Sequence, residues 1–450
     1  MVTILETCRV SAPPGAVADL SVPLTFFDIF WLHFHPIRRL LFYDYPCSKS
    51  HFMETIAPKL KESLSLTLRH YLPVAGELIF PLNSDKKPEI RYVAGDSAVS
   101  LTIAESASDF HDLIGNHARD ADQFYEFVPQ IDPVSDESEY QRVPVIALKV
   151  TLFPGRGICV GFTNLHCLGD ASSLVGFIQA WASISKLGGD EEFLTKQGQS
   201  LPILDRSVIK DPLGIDTIFW KEIREVPLKS SSFPLPTNRV RATYILHQED
   251  IKKLKDLVLA KKPGLLQVSS FVVTVSYVWT CFVKSGKQVD DDVVEFFAFS
   301  ADIRARVDPP VPAKYFGNCL GYGLVNIEHK QLVGEEGFVT AAEAIADQIN
   351  NRVNKKDEVL KGAENWISEA KKLIAIGAHA VSGSPKFDLY NADFGWGGAR
   401  KMEVVSIDGE KHSMSLCKSR DSEGGLEVGL SLPKARMEAF AAIFKDGLKF

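Results

Sequence analysis

The sequence has few cysteines, and their arrangement indicates no shared structural role. Seven cysteines are spread from Cys8 to Cys417 without a CxxC pair. A disulfide framework or a structural zinc site requires paired or closely spaced cysteines, so neither is predicted and no metal is expected. We expect reduced thiols, most of them buried.

Long apolar runs and a basic leader are also missing. The first ten residues contain no positively charged segment followed by a long apolar core, which a secretory signal would have. No later segment offers about eighteen uncharged apolar residues, the length that a membrane-spanning helix needs. We therefore expect a soluble, cytoplasmic protein without a membrane partner.

An excess of positive charge is the third absence. Lysine and arginine number 50 against 57 acidic residues, which gives a net charge of −7. General nucleic-acid binding depends on clustered lysine and arginine that neutralise phosphates, so no nucleic-acid partner is predicted. An anionic small molecule would have to bind in a local basic pocket.

The length of 450 residues exceeds the roughly 250–300 at which a single hydrophobic core stops growing. Prolines interrupt the periodic patterns between residues 201 and 240, which predicts an interdomain crossover. We predict an N-terminal domain at 1–200 and a C-terminal domain at 241–450. Both alternate strand-like and helix-like segments, so the predicted fold is α/β, with two mixed-sheet domains of similar size in a monomer, meeting at a solvent tunnel.

The stretch from residue 163 to 170 marks a change of periodicity. Apolar runs at 143–154 and 157–163 predict a buried hairpin. Downstream, Asp170 or Ser172 can cap a helix, whose apolar positions recur at helical spacing: Leu174, Val175, Phe177, Ile178, Trp181 and Ile184. His166 should therefore leave a strand end, and Asp170 should begin a helix.

The HxxxD spacing of His166 and Asp170 is weak evidence alone, because eleven histidines make one such coincidence about as probable as not. A buried histidine held by a local hydrogen bond explains the spacing equally well. The placement between strand and helix favours an active-site turn. A second dense group, the aromatic and histidine side chains at 24–43, is interpreted chiefly as core, with a ligand face as the alternative.

Three further motifs accompany HxxxD: DIR at 302–304, YFGNC at 315–319 and DFGWG at 393–397. With them the whole chain resembles the plant BAHD acyl-CoA-dependent acyltransferases, whose signatures are HxxxD in mid-chain and DFGWG near the C-terminus. YFGNC and the SGSPK segment at 382–386 are similar to the branch that acylates anthocyanin and flavonoid glycosides. The resemblance implies two domains of the chloramphenicol acetyltransferase-like type.

The resemblance also implies residue roles. His166 would be the general base that takes a proton from a sugar hydroxyl as it attacks the thioester. Asp170 would point away from the tunnel and pair with Arg304, which fixes the loop that carries the base. Asp393 is a second catalytic candidate, although the glycine-rich turn around it favours a structural role.

Coenzyme A brings phosphates, which basic side chains, hydroxyls and helix N-termini can bind. By resemblance, the candidates are Arg39, Ser269, Ser270, Ser382, Gly383, Ser384 and Lys386. Ordinary caps, turns and surface charges would account for the same residues. No permanently bound cofactor is predicted; acyl-CoA is the co-substrate.

The expected reaction is acyl transfer to a sugar hydroxyl of an anthocyanin or flavonoid glucoside, with malonyl-CoA the preferred donor. Two departures from relatives stand out: Leu165 replaces a histidine found in many of them, and Ala171 replaces an arginine found in some malonylating ones. A buried malonyl carboxylate would need another cation, such as Arg39. A p-coumaroyl or caffeoyl donor is the alternative, and a thioester hydrolase or an inactive binding scaffold are the other classes.

Overall fold

The computed structural model describes residues 1–15, 18–189, 201–265, 268–287, 289–409 and 412–449. Three mixed or antiparallel sheets are surrounded by helices. Within these ranges, no helix is both long enough and apolar enough to cross a lipid bilayer.

The first sheet holds the strand that leads to His166. In spatial order its strands are Val2–Val10, Val99–Ser106, Ile146–Phe153, Gly157–Asn164, Ile37–Tyr43 and Lys401–Val404. The predicted hairpin is confirmed, since Ile146–Phe153 and Gly157–Asn164 pair antiparallel along their full length. Every residue of Gly157–Asn164 is buried, so this strand fixes the position of the turn that follows it.

The second sheet consists mainly of strands from the second half of the chain. Its spatial order is Leu320–Glu328, Val294–Asp302, His379–Ser382, Ser413–Lys418, Leu426–Leu432, Val240–Leu246 and Arg119–Asp120. A smaller sheet contains Leu20–Pro23, Glu89–Tyr92, Glu77–Pro81, Tyr140–Pro144 and Ser135–Asp136.

Each half of the chain contributes one strand to the sheet that is formed mainly by the other half. Arg119–Asp120 pairs with Val240–Leu246, and Lys401–Val404 pairs with Ile37–Tyr43. A division by residue number therefore does not describe the sheets completely. The boundary at residues 200 and 201 stays a prediction, because 190–200 lie outside the described residues.

A buried network of charges joins the two exchanged strands. Arg241 donates to Glu403 at 3.2 Å and to Asp408, and Arg119 forms an ion pair with the other oxygen of Glu403 at 2.9 Å. All four side chains are buried, so each charge depends on its partners. The network therefore fastens the second half of the chain to the first.

In the described part of the chain the α-helices are Phe26–Ile29, Lys49–His51, Ala57–Leu68, Leu72–Ala75, Phe110–Leu113, Ala171–Leu187, Ile215–Ile223, Gln248–Lys261, Ser270–Lys284, His329–Val333, Gly337–Gln348, Trp366–Ile376 and Lys434–Asp446. A π-helical turn, Phe52–Ile56, joins Lys49–His51 to Ala57–Leu68, and Pro58 lies in the first turn of the latter. The indole of Trp181 donates to Leu60 O at 3.1 Å and docks Ala171–Leu187 on this helix.

The segment at 201–240, predicted as a crossover, contains regular secondary structure. It contains the helix Ile215–Ile223, which buries Phe219 and Trp220. Its prolines at 212 and 227 flank the helix instead of interrupting it. The prediction that prolines break every periodic pattern in this segment was wrong, because the apolar positions between them already have helical spacing.

Candidate active site

A cavity of about 1300 Å³ is lined by residues from both halves of the chain. Its walls include the turn at His166, the aromatic segment after Phe26–Ile29, the helix Trp366–Ile376 and the segment at 377–387. The volume exceeds that of typical small-molecule sites, so two substrates can be held together.

His166 begins a short 3₁₀ turn directly after the buried strand Gly157–Asn164. The imidazole stacks on Trp31 with ring centroids 3.9 Å apart, and Phe34 meets it edge-on at 5.6 Å. Its buried Nδ1 has no partner within the described ranges. Burial lowers the pKa of His166 to about 3, and the positive charge of Arg39 acts in the same direction. The ring is therefore neutral near pH 7 and able to accept a proton.

Asp170 is one of the residues that line the cavity, and its carboxylate is bound by groups of the protein. It caps the helix Ala171–Leu187 by accepting from Ser173 N at 3.2 Å, and Cys319 N donates to it at 3.1 Å. Arg304 donates to both carboxylate oxygens, at 2.7 and 3.1 Å. Although burial opposes charge on the guanidinium, Asp170 raises the pKa of Arg304 above its usual value. Burial raises the pKa of Asp170 above its usual value, although Arg304 and Cys319 N oppose this, so the carboxylate depends on these partners for its charge.

Two supporting residues were missed from the sequence. The side-chain amide of Asn318 donates to His166 O at 3.0 Å and to Asp28 Oδ1 at 3.0 Å. Asp28 in turn accepts from Thr25 N at 3.1 Å. Both Asn318 and Asp28 are fully buried, so they fix the backbone of His166 from behind. The sequence did contain a signal for Asn318, because it is the only residue of the YFGNC motif with a side-chain amide.

The aromatic segment at 24–43 divides between core and ligand face. Phe26 is buried as predicted, whereas Trp31, Phe34 and His35 are half-buried and line the cavity. The preference for a core role was wrong for these three. The chain turns sharply after Phe26–Ile29, with Trp31 N donating to Asp28 O and Phe34 N to Trp31 O, and the turn directs later rings to the cavity.

The structure does not bring Asp393 to the cavity. Its carboxylate pairs with Lys186 at 2.7 Å and accepts from Gly395 N and Gly397 N at 2.8 Å each. Burial raises its pKa, but Lys186 and the two amides lower it on balance. Both glycines have positive φ, 98° and 83°, which side chains rarely adopt. The DFGWG turn is therefore built around Asp393 at the far end of Ala171–Leu187.

This geometry predicts that Asp393→Ala destabilises the protein. The variant loses the acceptor of two backbone amides, and we expect a cost of about 1.5–3 kcal/mol with a less than about tenfold drop in kcat. Denaturant unfolding and steady-state kinetics measure the two effects. Lys186→Met is the control, because it removes the half-exposed ion pair and leaves the amide bonds. A hundredfold loss of kcat at unchanged stability would give Asp393 a chemical role.

All seven candidate coenzyme A residues lie in the cavity wall: Arg39, Ser269, Ser270, Ser382, Gly383, Ser384 and Lys386. Ser269 also caps Ser270–Lys284 by accepting from Val272 N at 3.2 Å. Gly383 has φ of 98°, and a Cβ there would lie 2.6 Å from Leu416 O. Burial lowers the pKa of Arg39 to about 10, so its charge persists at neutral pH. Hydroxyls and cations of this kind suit phosphate binding.

Known proteins resemble this chain in sequence and in fold. The model of the Transferase family matches residues 1–446. Malonyl-coenzyme:anthocyanin 5-O-glucoside-6'''-O-malonyltransferase of Salvia splendens is 57% identical over 99% of this chain and 95% of its own length. Phenolic glucoside malonyltransferase 1 of Nicotiana tabacum is 47% identical over the full length of both proteins.

Among solved structures, vinorine synthase matches with a TM-score of 0.70 at 18% identity, over 98% of this chain and 96% of its own. The predicted two-domain mixed α/β fold is thereby confirmed. With the family model spanning nearly the whole chain, the resemblance inferred from the motifs is also confirmed: the chain belongs to the transferase family of BAHD acyl-CoA-dependent acyltransferases.

Proposed function

We propose that this protein transfers a malonyl group from malonyl-CoA to a sugar hydroxyl of an anthocyanin or flavonoid glucoside. The observation that carries the proposal is the position of His166, half-buried in the wall of a cavity large enough for donor and acceptor. The named activities of the relatives from Salvia and Nicotiana support the acyl group and the acceptor class.

The reaction needs one proton acceptor and a good leaving group. His166 takes the proton of the sugar hydroxyl as its oxygen attacks the thioester carbonyl. The tetrahedral intermediate then collapses and the carbon–sulfur bond breaks. The imidazolium gives the proton that it took from the sugar hydroxyl to the departing coenzyme A thiolate. The hydrogen bond from Asn318 and the ion pair of Asp170 with Arg304 keep the imidazole in place throughout.

One incubation separates this function from its alternatives. The protein is mixed with malonyl-CoA and a flavonoid glucoside, and free thiol and malonyl ester are measured together. Equal amounts of thiol and ester support the transferase, whereas thiol without ester indicates a hydrolase. Neither product would indicate an inactive binding scaffold.

The donor preference depends on which cation meets the free malonyl carboxylate. Ala171, in the cavity wall, offers none. Arg39 is buried in the same wall, and its Nε has no hydrogen-bond partner within the described ranges. Its positive charge lowers the pKa of His166, so it acts on the site. An unpaired buried carboxylate would cost several kcal/mol, so this arginine favours malonyl over the neutral p-coumaroyl donor. A tenfold higher kcat/KM for p-coumaroyl-CoA on one anthocyanidin glucoside would reverse the assignment.

We predict that Arg39→Gln lowers kcat/KM for malonyl-CoA by about 30-fold, or about 2 kcal/mol, because the carboxylate loses its charged partner. Activity with acetyl-CoA, which lacks that carboxylate, should fall far less. Arg39→Lys keeps the charge without the planar fork and should retain an intermediate activity. Equal losses with both donors would place Arg39 at the shared coenzyme A moiety instead.

We further propose that the protein is a cytoplasmic monomer. Light scattering coupled to size exclusion tests the second part, with an expected mass of 49.8 kDa. A mass of twice that value would show a dimer. Fractionation of the source cells tests the first part.

A further inference from the structure

The helix Trp366–Ile376 presents one face to the cavity that holds His166. Trp366, Ala370 and Ile374, at four-residue steps, all line that cavity. Ile374 is 73% exposed. Single exposed apolar side chains are common on protein surfaces, but this one stands in the wall of a substrate cavity. Its position therefore offers apolar surface to a ligand.

A continuous series of aromatic rings connects this helix to His166. The imidazole stacks on Trp31 at 3.9 Å, Trp31 meets Phe30 at 4.9 Å, and Phe30 meets Trp366 at 6.1 Å. All four rings line the cavity. A flat aromatic molecule can lie against such a surface with its attached group close to His166.

Two polar atoms in the same wall have no partner among the described residues. Trp366 is 2% exposed, and its Nε1 makes no hydrogen bond in that part of the chain. The hydroxyl of Tyr322, whose ring lies 5.3 Å from that of Trp366, is likewise buried and unpaired there. Buried polar groups are nearly always hydrogen-bonded, and a small shift of these side chains on ligand binding would give both atoms an oxygen partner.

We propose that the helix Trp366–Ile376 is the wall against which the polyhydroxylated aromatic aglycone of the acceptor binds. Ile374 covers the ring system, and Trp366 Nε1 and Tyr322 Oη hydrogen-bond its oxygens. Lys371 is exposed on the same wall. This assignment rests on the proposed function, because it takes the acceptor to be an aromatic glucoside.

The test compares two substitutions on the same helix. Ile374→Asp places a charge against the aglycone, and we expect Kd for a flavonoid aglycone and KM for its glucoside to rise about tenfold. Ile376→Asp is the matched control, since Ile376 is 56% exposed but does not line the cavity, and it should change neither value. KM for the acyl-CoA should be unaltered in both variants.

Tyr322→Phe provides a second arm, because it keeps the phenyl ring and removes only the hydroxyl, which has no partner among the described residues. We expect a several-fold weaker Kd for the aglycone and an unchanged melting temperature. Binding is measured by calorimetry with the aglycone alone and does not require turnover. If the wild type binds the aglycone but forms no malonyl ester, the proposed function fails and this inference stands. Equal Kd values for wild type and Ile374→Asp, or equal losses in both aspartate variants, would overturn the inference.

Discussion

Replacement of His166 by alanine is expected to lower kcat by about 10²–10⁴-fold and to leave the fold intact. The imidazole follows a buried strand, stacks on Trp31 and is neutral near pH 7. A general base contributes a factor of that size. The turn itself is held by backbone contacts, notably the bond from Asn318 to His166 O, which alanine preserves.

His33→Ala is the matched control, because His33 lines the same cavity but is exposed and lacks the stack on Trp31. It should keep kcat within a few-fold of the wild type. Circular dichroism and melting temperature check the folding of both variants. A His166→Ala enzyme with more than about a tenth of wild-type kcat would remove this residue from the chemistry.

The same residue predicts the acid side of the pH profile. A base must be deprotonated to act, so activity is lost as pH falls through its pKa in the folded enzyme. Burial lowers the pKa of His166 to about 3, well below the 6.5 of a free histidine. We therefore expect kcat/KM to hold as pH falls through 6.5, provided that unfolding is excluded. An acid limb centred near 6.5, at pH values where circular dichroism shows the enzyme to be folded, would contradict this expectation.

The parts of the fold that the sequence predicted are those with local signals. Alternation and turn residues predicted the hairpin that ends at Asn164, and helical spacing after Asp170 predicted Ala171–Leu187. Asp170 is the N-cap because its carboxylate reaches Ser173 N three residues on. Each of these features depends on neighbours within a few residues.

What the sequence could not provide are contacts between distant segments. Lys401–Val404 adds to a sheet whose partner strand lies more than 350 residues earlier, and nothing in four residues specifies that neighbour. Asn318 reaches His166 O across 152 positions. The stack of Trp31 on His166 depends on how two separate turns are placed. Residue type alone did not assign Asn318 or Trp31 to the site, and only the fold shows what these side chains contact.

The second large effect is expected from the ion pair of Asp170 with Arg304. Both side chains are buried, and Arg304 also donates to Tyr315 O and Gly317 O at 3.2 and 3.0 Å. Arg304→Ala leaves the carboxylate without its cation, and Asp170→Ala leaves the guanidinium without its anion. Each should cost about 3–5 kcal/mol in stability, because an unpaired buried charge remains.

Activity should fall in both variants, since the turn at His166 is held through this pair. Asp421→Ala serves as control: it breaks the half-exposed Arg400–Asp421 pair, with 2.9 Å between charged atoms, and should cost less than about 1 kcal/mol. The double variant Asp170→Ala/Arg304→Ala should lose less stability than the sum of the single ones, because no lone charge is left. If Asp170→Ala instead kept full stability and lost all activity, the aspartate would take part in the reaction directly. Its hydrogen bonds from Arg304, Ser173 and Cys319 would then not explain its role.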